Sequence, residues 1–393
     1  MNKQIQPRST SNPARSGTAS QPLSRRHALQ LAGLSGLDLI APALLAGCGG
    51  TDALRPPRVL TQDVKAQLEA ATDAVFAQVK PPGMIALISV EGEGDYLIQR
   101  GVSDRLSGAP MNQANYFRIA SNTKTFTGAA VLILVDEGSI HLDTPIASYL
   151  PQYKIPNGER ISVRMLGNMT SGLFDYLYDE ELLRPFIAGA YSLTYTPDQM
   201  LAAAFRHPPN FEPGASYEYC NTNIVLLGLL MEKVTGKPAR QVLHEKVILP
   251  MGLAHTYWPD TGELPSPYTH GYTESEGGEI LDASHWNPSV AYTAGALVST
   301  LADMKLWARA VAEGWLLSEA MKAERFKWIN NHYGFCVMKA GDWIGHPGTI
   351  WGYNSHVFYN TAKKASYLIL VNSAMPQTPV ESFTAALLPI LSK

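Results

Sequence analysis

Two side chains with complementary chemistry stand three residues apart in the run Ser121-Asn122-Thr123-Lys124. The run follows a strand-like Tyr116-Phe117-Arg118-Ile119 and opens a helix-like stretch predicted over 121–138. On one helix, residues i and i+3 share a face, so a hydroxyl and an amine meet one turn apart. A serine hydroxyl is a weak nucleophile until a base takes its proton, and a desolvated lysine can be that base. Plainer roles exist for both. Serine is favoured as a helix N-cap, and the helix N-terminus can also hold a reacting oxygen near partial positive charge. Lysine is ordinarily solvated, but Phe126, Ala129 and Val131 argue for a mostly buried helix, where a lysine needs a partner or a depressed pKa.

Partner motifs follow in order. Tyr219-Cys220-Asn221 lies downstream, and His346-Pro347-Gly348-Thr349 lies near the C-terminus. In an extended segment Tyr219 and Asn221 project the same way. Free phenol titrates near 10, and a neighbouring ammonium such as Lys124 is expected to lower that value, which makes Tyr219 a second base candidate. Tyr217 shares the parity but lacks an Asn two positions on. The ordered triple Ser-x-x-Lys, Tyr-x-Asn, His-x-Gly resembles the serine β-lactamase and penicillin-binding-protein superfamily. Its variants point to the D-alanyl-D-alanine carboxypeptidase, class C β-lactamase and esterase branch. The flanks resemble that branch as well: Phe117-Arg118-Ile119-Ala120, Leu134-Val135-Asp136-Glu137-Gly138 with Leu142-Asp143, Thr170-Ser171-Gly172-Leu173 and Tyr219-Cys220-Asn221-Thr222-Asn223. The resemblance runs from about Leu60 to the C-terminus.

It implies that Ser121 is the nucleophile and that Lys124 and Tyr219 are the catalytic bases. Asn221 would orient Lys124 and the substrate amide. His346 would hold the third edge of the cleft or help to shuttle a proton, in place of the lysine of many relatives. It also implies an oxyanion hole made by the backbone N–H groups of Ser121 and Thr349. Gly348 is expected to allow close backbone approach of substrate. Pro347 departs from the usual Thr or Ser and removes a hydroxyl that can bind a carboxylate, while Thr349 retains one. The family's carboxypeptidases commonly carry a basic residue on the preceding strand. Here Met338 stands at about that place and Lys339 has the opposite parity, which favours a less charged substrate.

No Gly-x-Ser-x-Gly elbow and no His-Glu-x-x-His are present, and the 10 histidines lack metal spacing. No metal or other cofactor is expected. The net charge of −3 gives no reason to expect nucleic acid. The first 47 residues carry five Lys/Arg and one Asp, so the rest of the chain is more acidic still.

Those residues read as an address. Ser24-Arg25-Arg26-His27 precedes an apolar run that ends Leu45-Ala46-Gly47-Cys48, which resembles a twin-arginine lipoprotein signal (1–47) acylated on Cys48. As a transmembrane helix the run is short and is interrupted by Asp38 and Pro42. Gly49 favours an outer-membrane destination, on the periplasmic face of the envelope. Cys220 and Cys336 are expected to be buried and free.

Residues 48–60 read as a tether and 61–393 as one hydrolase domain. Strands are predicted at Met84–Val90, Tyr96–Arg100, Tyr333–Lys339, Trp343–Gly345 with the His-Pro-Gly segment, and His356–Tyr359 taken with Tyr367–Val371. Helices are predicted over 61–79, 121–138, Asn221–Thr235, Ala239–Val247, Leu301–Glu313 and Val380–Leu391. Strands at both ends of a helical middle argue for an α/β (α+β) fold. The expectation is an antiparallel five-stranded sheet flanked by helices, its sheet lobe spanning about 61–120 and 290–393 and an inserted helical lobe about 140–290. The functional expectation is a serine hydrolase that forms an acyl-enzyme on Ser121. D-alanyl-D-alanine carboxypeptidase-like or β-lactamase-like hydrolysis comes first. A carboxylesterase or amidase, or a β-lactam-binding sensor without turnover, is the alternative. The expected partner is a small-molecule or peptidoglycan-type peptide or ester substrate, and the expected state is a lipid-anchored monomer.

Overall fold

The computed structural model describes residues 59–275, 277–374 and 379–392. The signal segment and Cys48 therefore lie outside the described residues. The chain enters through helix α1 (Gln62–Val79), capped by the Thr61 hydroxyl, which accepts from the Val64 N–H. It then forms the hairpin β1 (Gly83–Val90) and β2 (Gly94–Gly101). After a long helical interval it returns through β3 (Met338–Ala340), β4 (Trp343–Ile350), β5 (Tyr353–Asn360) and β6 (Ala365–Val371).

These strands make one antiparallel sheet in the order β2-β1-β6-β5-β4-β3, so the first hairpin and the last four strands meet at the β1–β6 ladder. The sheet has six strands rather than the expected five. The extra strand arises because His356–Tyr359 and Tyr367–Val371, taken together in the sequence, belong to two paired strands, β5 and β6. The edge strand β3 is short and pairs with only Trp343, Ile344 and Gly345 of β4. The strand predicted over Tyr333–Lys339 shrinks to Met338–Ala340 because the chain turns before it. Cys336 sits at φ +54°, and the Gly334 N–H closes on the Val337 carbonyl. The rest of β4, from His346 onward, is thereby left open on that side.

Alternation along β1 divides the core. Met84, Ala86, Ile88 and Val90 face α1 and the closing helix α5 (Pro379–Ser392), together with Leu68, Val75, Phe383 and Leu387. Ile85 and Leu87 face the other way, toward α2 (Thr123–Asp136), α3 (Asn221–Thr235) and α4 (Leu301–Glu313). A strand packed on both faces reads as a continuous apolar run even in an antiparallel sheet.

Helix α2 is buried almost all round, and Phe126 stacks on Trp307 of α4 with ring centroids 4.1 Å apart. Its first turn is held by side chains: the Trp307 indole donates to Thr125 Oγ1 (2.8 Å), and Thr127 donates to the Thr293 carbonyl (2.8 Å). Cys220 and Cys336 are both buried and free. Among the described residues no helix is long and apolar enough to cross a membrane.

Candidate active site

The serine does not start the helix. Ala120–Asn122 form a single 3-10 turn, and α2 begins only at Thr123. Asn122 is the N-cap residue, and no side chain caps that end, so the N-cap role open to Ser121 is not taken. Ala120, just before it, is buried with φ +50°, a conformation that costs an L-residue about 1–2 kcal/mol. The surroundings hold it there: the Ile119 N–H donates to the Leu297 carbonyl, and Asn122 Nδ2 donates to Ser355 Oγ at 3.0 Å. This strained turn presents the Ser121 hydroxyl at the helix end.

Lys124 is fully buried. Its Nζ donates to Ser121 Oγ at 2.9 Å and to the Ala294 carbonyl at 2.8 Å. Burial pulls its pKa down to about 7, and the Asp175 carboxylate works against the fall. A fraction of the amine is therefore neutral near neutral pH and able to take the serine proton.

Tyr219 comes to the same place from the extended residues ahead of α3. Lys124 Nζ lies 4.9 Å from its ring centroid. Its hydroxyl is turned toward Ser121 but makes no hydrogen bond of normal geometry. Burial drives the phenol well above its ordinary value of 10, against the expectation that Lys124 would lower it. The physical reason is that the phenolate would be desolvated, while burial leaves the lysine beside it only partly charged. Tyr219 is thus a neutral phenol rather than a standing base. Tyr217 packs against Tyr333 at 5.7 Å, outside the Ser121–Lys124 pair.

Asn221 opens α3, and its amide takes a different partner from the one expected. Both its backbone N–H (2.9 Å) and its Nδ2 (2.7 Å) donate to Asp175 Oδ2. It makes no hydrogen bond to Lys124, whose second partner is the Ala294 carbonyl.

His346 is buried on β4. Its Nδ1 lies 2.5 Å from the Pro347 carbonyl, which can only accept, so the proton sits on Nδ1. Nε2 then accepts from the Tyr333 hydroxyl at 3.3 Å. Desolvation holds the imidazole pKa down to about 3, with the Lys124 charge adding to the fall. His346 is a neutral wall of the site, 6.0 Å from the Tyr219 ring.

Gly348 allows a close approach within the protein itself. A Cβ there would meet the Ile119 carbonyl at 2.5 Å, Ser355 Oγ at 2.6 Å and Asn122 Nδ2 at 2.9 Å. The missing side chain admits the turn that carries Ser121. It sets the spacing between the backbones of Ser121 and Thr349. The Thr349 hydroxyl accepts from Asn354 Nδ2 at 2.7 Å across the β4–β5 ladder, which leaves its own proton to donate.

Three contributors carried little signal in the sequence. Ala294 acts through its carbonyl, which no residue type reveals. Tyr333 fell in a segment read as strand. Asp175 follows the Thr170–Leu173 flank closely, and a buried acid beside that motif was the available clue. Among the described residues no His/Cys/Asp/Glu cluster could hold a metal ion.

A buried lysine bonded to a serine in the turn just ahead of a helix, faced by a tyrosine and walled by a strand of the sheet, is the arrangement expected of a serine hydrolase of the β-lactamase fold. The chain belongs to the Beta-lactamase family, whose profile matches residues 66–388. It is similar to the esterase EstB of Burkholderia gladioli, 31% identical over 219 residues, 52% of this chain and 54% of the esterase. That match thus spans about half of the curated relative's length. Among solved structures it is similar to a D-stereospecific amidohydrolase from Streptomyces sp., 31% identical with a TM-score of 0.73, covering 81% of this chain and 98% of that one. It is also similar to the D-amino acid amidase of Ochrobactrum anthropi SV3 complexed with L-phenylalanine amide, 26% identical with a TM-score of 0.73 over 84% and 99% of the two chains.

Proposed function

We propose that the chain is an esterase or amidase that acylates Ser121 and whose substrates carry no free carboxylate at the scissile end. Neutral Lys124 takes the Ser121 proton as Oγ bonds to the acyl carbon. The Ser121 and Thr349 N–H groups receive the oxyanion. The proton then passes through Lys124 and the Tyr219 phenol to the leaving oxygen or nitrogen as that bond breaks. Water releases the acid by the reverse relay.

The observation that carries the specificity is the neutrality of the cleft wall. His346 is uncharged, and the resemblance to the family puts apolar Met338 at about the place where its carboxypeptidases carry a basic residue. Lys339 is spent on Asn331 Oδ1 (3.3 Å) and the Trp328 ring. Burying an unpaired charge against such a wall is costly. The esterase and amidase relatives support the same reading.

The unspent Thr349 proton favours a second reading, D-alanyl-D-alanine carboxypeptidase or β-lactamase activity, since it can bind a substrate carboxylate. The test compares specificity constants for a short-chain nitrophenyl ester, a D-amino acid amide, a D-Ala-D-Ala peptide and a chromogenic cephalosporin. Ester or amide should be turned over at least as well as the free-carboxylate peptide. Met338→Arg should move the ratio toward the carboxylate by about tenfold, roughly 1.4 kcal/mol of transition-state binding. A native preference for the carboxylate of about a hundredfold, some 2.7 kcal/mol, restores the second reading. We also propose a lipid anchor at Cys48 of an exported chain. Cys48→Ser should then leave the membrane fraction, and a variant that stays there refutes the anchor.

A further inference from the structure

One buried charge near the site is left over by the chemistry above. Asp175 is 1% exposed. Its Oδ2 accepts from the Asn221 N–H and Nδ2, and its Oδ1 accepts from the Leu177 N–H at 3.0 Å. All three partners are N–H donors, the arrangement an ionised carboxylate requires. Burial raises its pKa on balance, and these bonds together with the Lys124 charge offset part of that rise.

The segment around Asp175 is laced to the start of α3. Thr222 Oγ1 donates to the Phe174 carbonyl (2.8 Å) and accepts from the Tyr176 N–H (3.0 Å). Ser171 Oγ donates to Asn223 Oδ1 (2.6 Å), and Cys220 Sγ reaches the Leu173 carbonyl at 3.3 Å. Tyr219 stands directly before this clasp, where extended chain becomes helix at Cys220. Of the bonds that hold the junction, only those to Asp175 carry charge.

We propose that Asp175 is a positioning residue for the reaction, clamping the Tyr219–Asn221 segment against Ser121 and supplying the buried negative charge that faces Lys124. It rests on the acyl-enzyme reading above. The other titratable groups facing Lys124 are Tyr219, Cys220, Cys336 and His346, each kept neutral by burial. Tyr176 and Tyr178 lie beside Asp175 and are neutral phenols. Arg325, from the helix Glu319–Arg325, reaches α2 at the Thr125 carbonyl (3.0 Å) and faces Cys336.

The test measures kcat and kcat/KM against pH on a nitrophenyl ester for the native chain, Asp175→Asn, Asn221→Ala and the double variant. Asp175→Asn should lower kcat by about tenfold or more and move the acid limb of kcat/KM to lower pH by about half a unit or more. Removing a negative charge makes the neighbouring amine easier to deprotonate. A residue that only stabilised the fold would lower activity without moving that limb. The double variant should lose less than the product of the single losses, because the two groups act through one contact. An unmoved limb, or fully multiplicative losses, overturns the proposal. Should Asp175→Asn not fold, Asn221→Ser keeps the charge and removes the side-chain bond. It should lower kcat with the limb in place, and a shifted limb is then the contrary result. A serine-directed phosphonate separates the two layers. Labelling of native Ser121 leaves the hydrolase reading standing whatever Asp175 does, and no label removes both.

Discussion

Lys124 Nζ stands 2.9 Å from Ser121 Oγ and 2.8 Å from the Ala294 carbonyl, and among the described residues it makes no ion pair with a carboxylate. A lysine in an ion pair would stay charged and could not accept a proton. Here the carbonyl fixes the amine's direction without holding its charge, and burial favours the neutral form.

The pH profile should report this directly. With a pKa near 7 in the folded protein, Lys124 is a competent base above that pH and protonated below it. The expected kcat/KM falls on the acid side with a midpoint near 7. His346, held down to about 3, should contribute no inflection between pH 4 and 8. Lys124→Ala should lose about 10²–10⁴-fold in kcat. A profile flat down to pH 5 contradicts the assignment.

Tyr219→Phe removes only the buried hydroxyl turned toward Ser121, and should lower turnover by a similar factor of about 10²–10⁴. Tyr217→Phe should change it by about threefold or less. Because the Tyr219 phenol lies well above 10, no basic limb from it should appear below pH 9. Equal losses at the two tyrosines would mean that the proton relay runs elsewhere.

Gly348→Ala tests the close approach of β4 to the nucleophile turn. The added methyl meets the backbone carbonyl of Ile119 at 2.5 Å, and a backbone atom cannot rotate away. The variant should be about 1–3 kcal/mol less stable by denaturant titration and should lose activity well beyond that. Native activity and an unchanged midpoint would show that the spacing is not set there.

The pairing of Ser121 with Lys124 was legible from i, i+3 spacing read together with the Tyr-x-Asn and His-x-Gly motifs, although Ser121 sits in the 3-10 turn ahead of the helix. The sheet strands were legible from short β-rich runs, and Leu301–Glu313 and Asn221–Thr235 from their helical pattern. Other features depend on contacts between distant segments. The phenol of Tyr219 is raised, not lowered, because its burial comes from Tyr333 and His346, far along the chain. The true partner of Asn221 is an acid 46 residues away. The shortening of the strand expected over Tyr333–Lys339 turns on the conformation of Cys336, a residue that ordinarily avoids positive φ.

The central claim is covalent chemistry at Ser121, and intact-mass analysis after a serine-directed phosphonate tests it most directly. The native protein should gain a single adduct that peptide mapping places on Ser121, and Ser121→Ala should gain none. An adduct of equal yield on the Ser121→Ala variant would contradict the account.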